Sequence, residues 1–232
     1  VRLLLREEAG EQRRDRRRVE RPVVADEEPP VGPHRDGCLH LGEGDAERLV
    51  GWIANVARGI QTGDRIAIWA PNISEWVIAA IGAQCAGAVL VTLNTRYKGS
   101  EAAYILRASR ARLLFSIGHF LDTDYPAQLA GEALPDLQET VVFRSTADSR
   151  HTRWEDFLEQ GTATPLADVQ QRMSRISGSA LSDILFTSGT TGNPKGVMTS
   201  HEQNLRAFTS FADIVGLQRG DRYLVINPFF HS

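Results

Sequence analysis

The sequence predicts an α/β chain, a parallel sheet with helices packed on both faces. Two observations carry this: from about residue 49 onward short, wholly apolar runs alternate with stretches of helical period, and the connections between them are short. Residues 49–57 read as the end of an amphipathic helix that Gly59 can stop. Gly63 and Asp64 make a turn into a strand over 65–69, and residues 70–72 form a loop. Asn72 followed three residues later by Glu75 has the capping-box pattern, so a helix is expected through 76–81 and on to Gly87. Residues 88–93 are a fully apolar strand. The stretch 76–93 nears the length of a membrane span, but Gly82, Gln84 and Gly87 interrupt it, and helix, stop and buried strand explain the same residues better. Ser100 caps a helix over 101–109, and strands follow over 112–116 and 139–143. Residues 150–180 read as helix and surface loop without chemistry. A short strand over 183–187 and a second over 197–200 flank a loop, and the Ser200 to Gln203 capping box opens a helix over 204–215.

Composition narrows the function classes. Among 232 residues, 26 Lys and Arg stand against 29 Asp and Glu, a net charge of −3, which is not the balance of a nucleic-acid binder. At 42% hydrophobic and 24% charged the chain is globular in composition. Cys38 and Cys85 cannot build a disulfide framework, and no Cys/His cluster has zinc-ligand spacing, which points to a reducing, cytoplasmic setting. The apolar run at residues 3–5 is far too short for a signal-peptide core. Lys98 and Lys195 are the only lysines; the arginine excess fits GC-rich coding rather than guanidinium chemistry.

Residues 1–47 differ from the rest, with an Arg-rich run over 13–18, Asp26-Glu-Glu-Pro-Pro30 and no apolar periodicity. Such a stretch cannot bury a core. It is expected either as a solvated, disordered head or as a non-native, out-of-frame start, with a basic nucleic-acid arm disfavoured because acids nearly cancel its arginines. Residues 48–232 carry the ordered pattern.

The chemistry concentrates in Thr187-Ser-Gly-Thr-Thr-Gly-Asn-Pro-Lys-Gly196. Gly189 and Gly192 can expose consecutive backbone N–H groups, and Thr187, Ser188, Thr190 and Thr191 offer hydroxyls, a cradle suited to phosphate oxygens. Pro194 stiffens the turn before Lys195, the one cation of the loop. The loop is not of the Walker A type, because Pro194 precedes the lysine, Gly196 follows it, and the next residues read as a strand rather than a helix. A phosphate would lie against a hairpin loop with no helix dipole beneath it. A Gly/Thr/Ser-rich string is more often an ordinary mobile loop; here the whole string is specific.

That string resembles the signature of the adenylate-forming enzymes, which include acyl-CoA synthetases, firefly luciferase and the adenylation domains of nonribosomal peptide synthetases. Gly63-Asp-Arg-Ile-Ala-Ile-Trp-Ala-Pro-Asn72, Ala86-Gly-Ala88 with Leu93-Asn94, and Asn227-Pro-Phe-Phe-His231 resemble the family's other N-terminal motifs in the right order, over about residue 50 to the end. Asn94-Thr-Arg-Tyr97, residues 182–186 and residues 221–231 look most like actinobacterial fatty-acid–CoA ligases, including the kind that activates steroid-derived acids.

The resemblance implies the N-terminal portion of the adenylate-forming fold and a reaction that joins a carboxylate to AMP with loss of pyrophosphate, then passes the acyl group to CoA. It implies ATP, Mg²⁺ and CoA as cofactors and a hydrophobic carboxylic acid as substrate, fatty acid by default. Carried over, Thr187, Ser188, Gly189, Thr190, Thr191, Gly192 and Lys195 hold the β and γ phosphates, with Lys195 offsetting charge as pyrophosphate leaves. Thr187 also helps place Mg²⁺. His231 lies beside the acyl carboxylate; alone, a His after two Phe is more often structural, and Phe229 and Phe230 are equally explicable as core. The family's adenine, ribose and Mg²⁺-binding segments and its C-terminal lysine follow the His motif, so the chain is expected to be a truncated fragment, inactive alone in acid-dependent pyrophosphate exchange. The alternative is a non-catalytic nucleotide-binding module complemented by a separate C-terminal half.

Overall fold

The computed structural model describes residues 59–145, 150–161, 165–187, 194–218 and 220–231. The expected helix over 49–57 and the head, 1–47, lie outside the described residues. Seven strands form one sheet in the order β7-β6-β3-β1-β2-β8-β9. They are β1 (Arg65–Trp69), β2 (Val89–Thr92), β3 (Leu113–Ile117), β6 (Glu139–Phe143), β7 (Thr152–Arg153), β8 (Leu181–Thr187) and β9 (Lys195–Ser200). Every pairing is parallel except β8 with β9, a hairpin. A small antiparallel pair, β4 (His119–Phe120) and β5 (Thr123–Asp124), stands apart.

The helices follow from the connections. α1 (Ser74–Cys85) joins β1 to β2, and α2 (Gly99–Ser109) carries the chain back past β1 to β3. Right-handed crossovers that move first one way and then the other along a sheet put their helices on opposite faces. β1 is thereby enclosed, and Ile66, Ala67, Ile68 and Trp69 are fully buried. Such all-apolar strands are what a doubly covered parallel sheet requires.

Two caps differ from the sequence expectation. The N-cap of α1 is Ile73, with no side-chain cap bond, so Asn72 does not cap it. Its amide is engaged at long range, and Glu75 pairs instead with Arg144 at 2.8 Å. Helix α2 begins at Gly99 with Lys98 as N-cap; the Glu101 carboxylate accepts from the Lys98 N–H at 2.8 Å, so Ser100 is inside the helix rather than its cap. The last helix, α5 (His201–Val215), does carry the expected box: Ser200 Oγ accepts from the Gln203 N–H, and Gln203 Oε1 accepts from the Ser200 N–H.

The region read as helix and surface loop contributes to the core. β7 adds a strand to the sheet, and α3 (Trp154–Gly161) buries Trp154 and Phe157. Phe115 of β3 stacks on Phe143 of β6 at 5.7 Å and meets the rings of Trp154 and Phe157 edge-on at 5.8 and 5.2 Å. Edge-to-face pairs of this kind each add about 0.5–1.5 kcal/mol beyond area burial. α4 (Leu166–Met173) completes the described helices, with Val169 buried. Among the described residues no helix is long and apolar enough to cross a membrane.

At the other end of the sheet the apolar residues are exposed. β9 is an edge strand with Met198 67% exposed, and on α5 Leu205, Phe208, Phe211 and Val215 share one helical face and are all exposed. An open edge beside an apolar helix face is a template for association. The chain is therefore expected to bind a hydrophobic dye and to self-associate as its concentration rises. Met198→Lys with Phe208→Glu should shift sedimentation toward the monomer, and unchanged association would show that another surface drives it.

Candidate functional site

The hairpin holds the phosphate-suited loop by its neck. Thr187 ends β8, Lys195 begins β9, and the two residues are register partners across the antiparallel pair. Ser188, Gly189, Thr190, Thr191 and Gly192, the body of the expected cradle, lie outside the described residues. Both neck side chains are exposed, and among the described residues Lys195 takes part in no ion pair. Its charge is thus free of internal competition from the described carboxylates.

Two features fix where the neck sits. The Tyr104 hydroxyl of α2 donates to the Pro194 carbonyl at 3.4 Å, tethering the stem just before the lysine. Gly196, just after it, packs so closely on β8 that a Cβ there would meet Ile184 Cγ2 at 2.8 Å and the Phe186 ring at 3.3 Å. A side chain at 196 would force either the Ile184 side chain or β9 itself, with Lys195, to shift.

The second candidate, His231, arrives from far along the chain at the same end of the sheet. Thr92, the last residue of β2, is paired with Leu185 of β8, two residues before Thr187. The Thr92 hydroxyl donates to the Phe230 carbonyl at 3.1 Å, so the residue before His231 is held at the carboxyl end of the strand next to β8. In an open parallel sheet that end is where ligands bind. Phe229 packs on Trp76 with ring centroids 5.1 Å apart, and its N–H donates to Asn72 Oδ1 at 2.7 Å. The His231 side chain itself is exposed and forms no hydrogen bond to Thr187 or Lys195 among the described contacts.

Behind the hairpin lies a polar network that sequence reasoning missed. Ser182 Oγ accepts from Gln84 at 2.8 Å and from Asn204 at 3.2 Å, and Asn204 also donates to Asp183 Oδ2. Asp183 is only 6% exposed, and its other oxygen has no hydrogen-bond partner. The one signal was two polar residues, Ser182 and Asp183, in a strand that is otherwise apolar up to Thr187. The network ties α1, β8 and α5 together behind the loop.

His201 belongs to this corner. Burial pushes its imidazole below the ordinary value of 6.5, and the nearby Asp183 carboxylate only partly offsets that. The neutral ring is therefore favoured by folding. As pH falls through 6.5 the unfolded chain takes up a proton that the folded one resists, so this contribution to stability is lost on acidification. Melting temperature should drop as pH is lowered below 6.5, and His201→Asn should remove that part of the slope; an identical slope in the variant would place the titrating group elsewhere.

A cavity of about 770 Å³ lies at the carboxyl ends of β3 and β6, lined in part by His119, Asp124, Arg144 and Arg150. None of Thr187, Lys195 or His231 lines it. Burial pushes the Cys85 thiol up to about 11, so at neutral pH it is a protonated, unreactive group. Among the described residues no three His, Cys, Asp or Glu side chains could hold a metal ion together. An Mg²⁺ here would rely on phosphate oxygens, water and a hydroxyl such as that of Thr187, a donor set this ion accepts.

A family model described as AMP-binding enzyme matches residues 44–232. A methyl-dioxo-octahydroindenyl propanoyl:CoA ligase of Mycobacterium tuberculosis is 44% identical over 179 residues, covering 77% of this chain and 35% of its own length. The ligase of the same name from Rhodococcus jostii is 37% identical over 182 residues, with 76% and 35% covered. Among solved structures, the inhibitor-bound N-terminal domain of FACL13 from Mycobacterium tuberculosis superposes with a TM-score of 0.64 at 27% identity, covering 79% of this chain and 43% of that one. The chain thus spans about a third of the length of these curated relatives.

Proposed function

The chain belongs to the AMP-binding enzyme family, and on that premise we propose that it supplies the phosphate-gripping part of an ATP-dependent ligase that activates a hydrophobic carboxylic acid as its acyl-CoA. The observation that carries the reading is the hairpin neck: a lysine with no ion-pair partner among the described residues, opposite a threonine at the carboxyl end of a mostly parallel sheet. In the first step a carboxylate oxygen bonds to the α-phosphorus of ATP, the bond from that phosphorus to the β-bridging oxygen breaks, and pyrophosphate leaves. In the second the CoA thiol, losing its proton, bonds to the acyl carbon, and AMP departs.

In this reading the loop from Thr187 through Ser188, Gly189, Thr190, Thr191 and Gly192 to Lys195 grips the β and γ phosphates. Lys195 lowers the barrier by meeting charge that builds on the departing pyrophosphate. Thr187, near the α-phosphate, would offer its hydroxyl to Mg²⁺, which when bound screens the phosphate charges. His231, the residue after the Phe230 carbonyl that Thr92 holds, faces the acid. The setting is cytoplasmic, where ATP and CoA are supplied.

The acid is taken to be apolar, a fatty acid or a ring-bearing propanoic acid of the kind named for the Mycobacterium and Rhodococcus relatives. The exposed face of β9 and α5 favours a second form of the same reading, in which this chain is a nucleotide-binding module that works with polypeptide covering that face. Acid-dependent ATP–pyrophosphate exchange tests both, measured with the chain joined to, or mixed with, the remaining part of the Mycobacterium relative. Exchange in either arrangement is expected. Its absence in both, while the relative itself exchanges, would contradict the proposal.

A further inference from the structure

We infer that Asn72 is the positioning residue of the segment that ends at His231, a role that rests on the reading of that histidine given above. Asn72 follows β1 by three residues, and its amide grips a turn more than 150 residues away. The Nδ2 group donates to the Asn227 carbonyl at 2.8 Å, while Oδ1 accepts from the Phe229 N–H at 2.7 Å. One planar amide thus satisfies both an acceptor and a donor of the same turn, a pairing that an ionised aspartate or a leucine cannot reproduce.

The clamp has a hydrophobic and a polar flank. Trp76, on the first turn of α1, packs on Phe229, and the Thr92 hydroxyl donates to the Phe230 carbonyl. The turn closes on itself through the His231 N–H, which donates to the Pro228 carbonyl at 3.0 Å. Residues 221–226, just before it, have neither helix nor strand, and Val225 and Ile226 are exposed. Nothing regular therefore carries His231 to its place from its own side of the chain. Its position is set by the Asn72 amide just after β1, the Trp76 ring on the first turn of α1 and the Thr92 hydroxyl at the end of β2.

Hydrogen exchange of the whole chain, read peptide by peptide, tests this at concentrations low enough to avoid association. With Asn72→Ala, protection over 227–231 is expected to fall by about tenfold or more, the scale on which a local opening loses one or two hydrogen bonds, while peptides from β1 and β2 are unchanged. Asn72→Asp keeps an acceptor for the Phe229 N–H and should restore much of that protection, which a merely steric role for residue 72 would not. Thr92→Val should loosen the Phe230 end alone. Equal protection of 227–231 in wild type and Asn72→Ala would overturn the inference, as would a loss that spreads equally to β1 and β2. A parallel pyrophosphate-exchange assay, with the remaining part of the Mycobacterium relative joined or added, separates the two claims: lost protection in a chain that supports no exchange keeps the clamp and removes the ligase reading.

Discussion

Lys195→Ala is expected to weaken MgATP binding by between about ten- and a hundredfold. At about 4 Å and an effective dielectric near 20, a lysine gains roughly 4 kcal/mol per unit phosphate charge before desolvation. Lys195 is exposed, so screening cuts this toward the roughly 1.5–3 kcal/mol of a hydrogen bond to a charged group. The only other lysine is Lys98, the N-cap of α2. Lys195→Arg should keep part of the affinity, because charge is retained while the compact ammonium is replaced by a planar fork. Isothermal titration would read both variants; wild-type affinity in Lys195→Ala would remove the lysine from the phosphate site.

Gly99→Ala is expected to cost about 3 kcal/mol, the upper end for overpacking, and to lower the melting temperature by roughly 6–12 °C. A Cβ at Gly99 would stand 1.9 Å from the Gln128 carbonyl oxygen and 2.7 Å from its carbon. These are backbone atoms of the 3₁₀ turn Pro126–Leu129, so no rotamer change relieves the clash. The better helix propensity of Ala, at most about 1 kcal/mol, does not offset it. Gly178→Ala is the control: its Cβ would meet Glu202 Cβ at an ordinary 3.6 Å, and it should melt near wild type. Equal melting of the two variants would show that the 3₁₀ turn moves aside freely.

These positions also show what the sequence can and cannot disclose. The strands over 65–69 and 88–93 were legible because strands buried on both faces are apolar without alternation, and Gly87 was legible because its φ of +82° is one few other residues adopt. The loop was legible as a string of residue types. The role of Gly99 was not, since the reason lies in a turn some thirty residues later. Asn72 misled for a physical reason: Asn and Glu three apart are the chemistry of a cap, but long-range partners, Asn227 and Phe229 for one and Arg144 for the other, took both side chains. That Trp154 and Phe157 join the core was not legible, because their partners, Phe115 and Phe143, come from strands that the sequence does not show to be neighbours. Asp183 and Asn204 likewise meet only in the fold.

The central claim is that Lys195, at the neck of the hairpin, grips the β and γ phosphates rather than the nucleotide as a whole. Titrating wild type and Lys195→Ala with ATP, AMP and pyrophosphate, each with Mg²⁺, tests it most directly. The account predicts that the substitution weakens ATP and pyrophosphate by similar factors and leaves AMP unchanged. Equal weakening of all three, or of none, would contradict it.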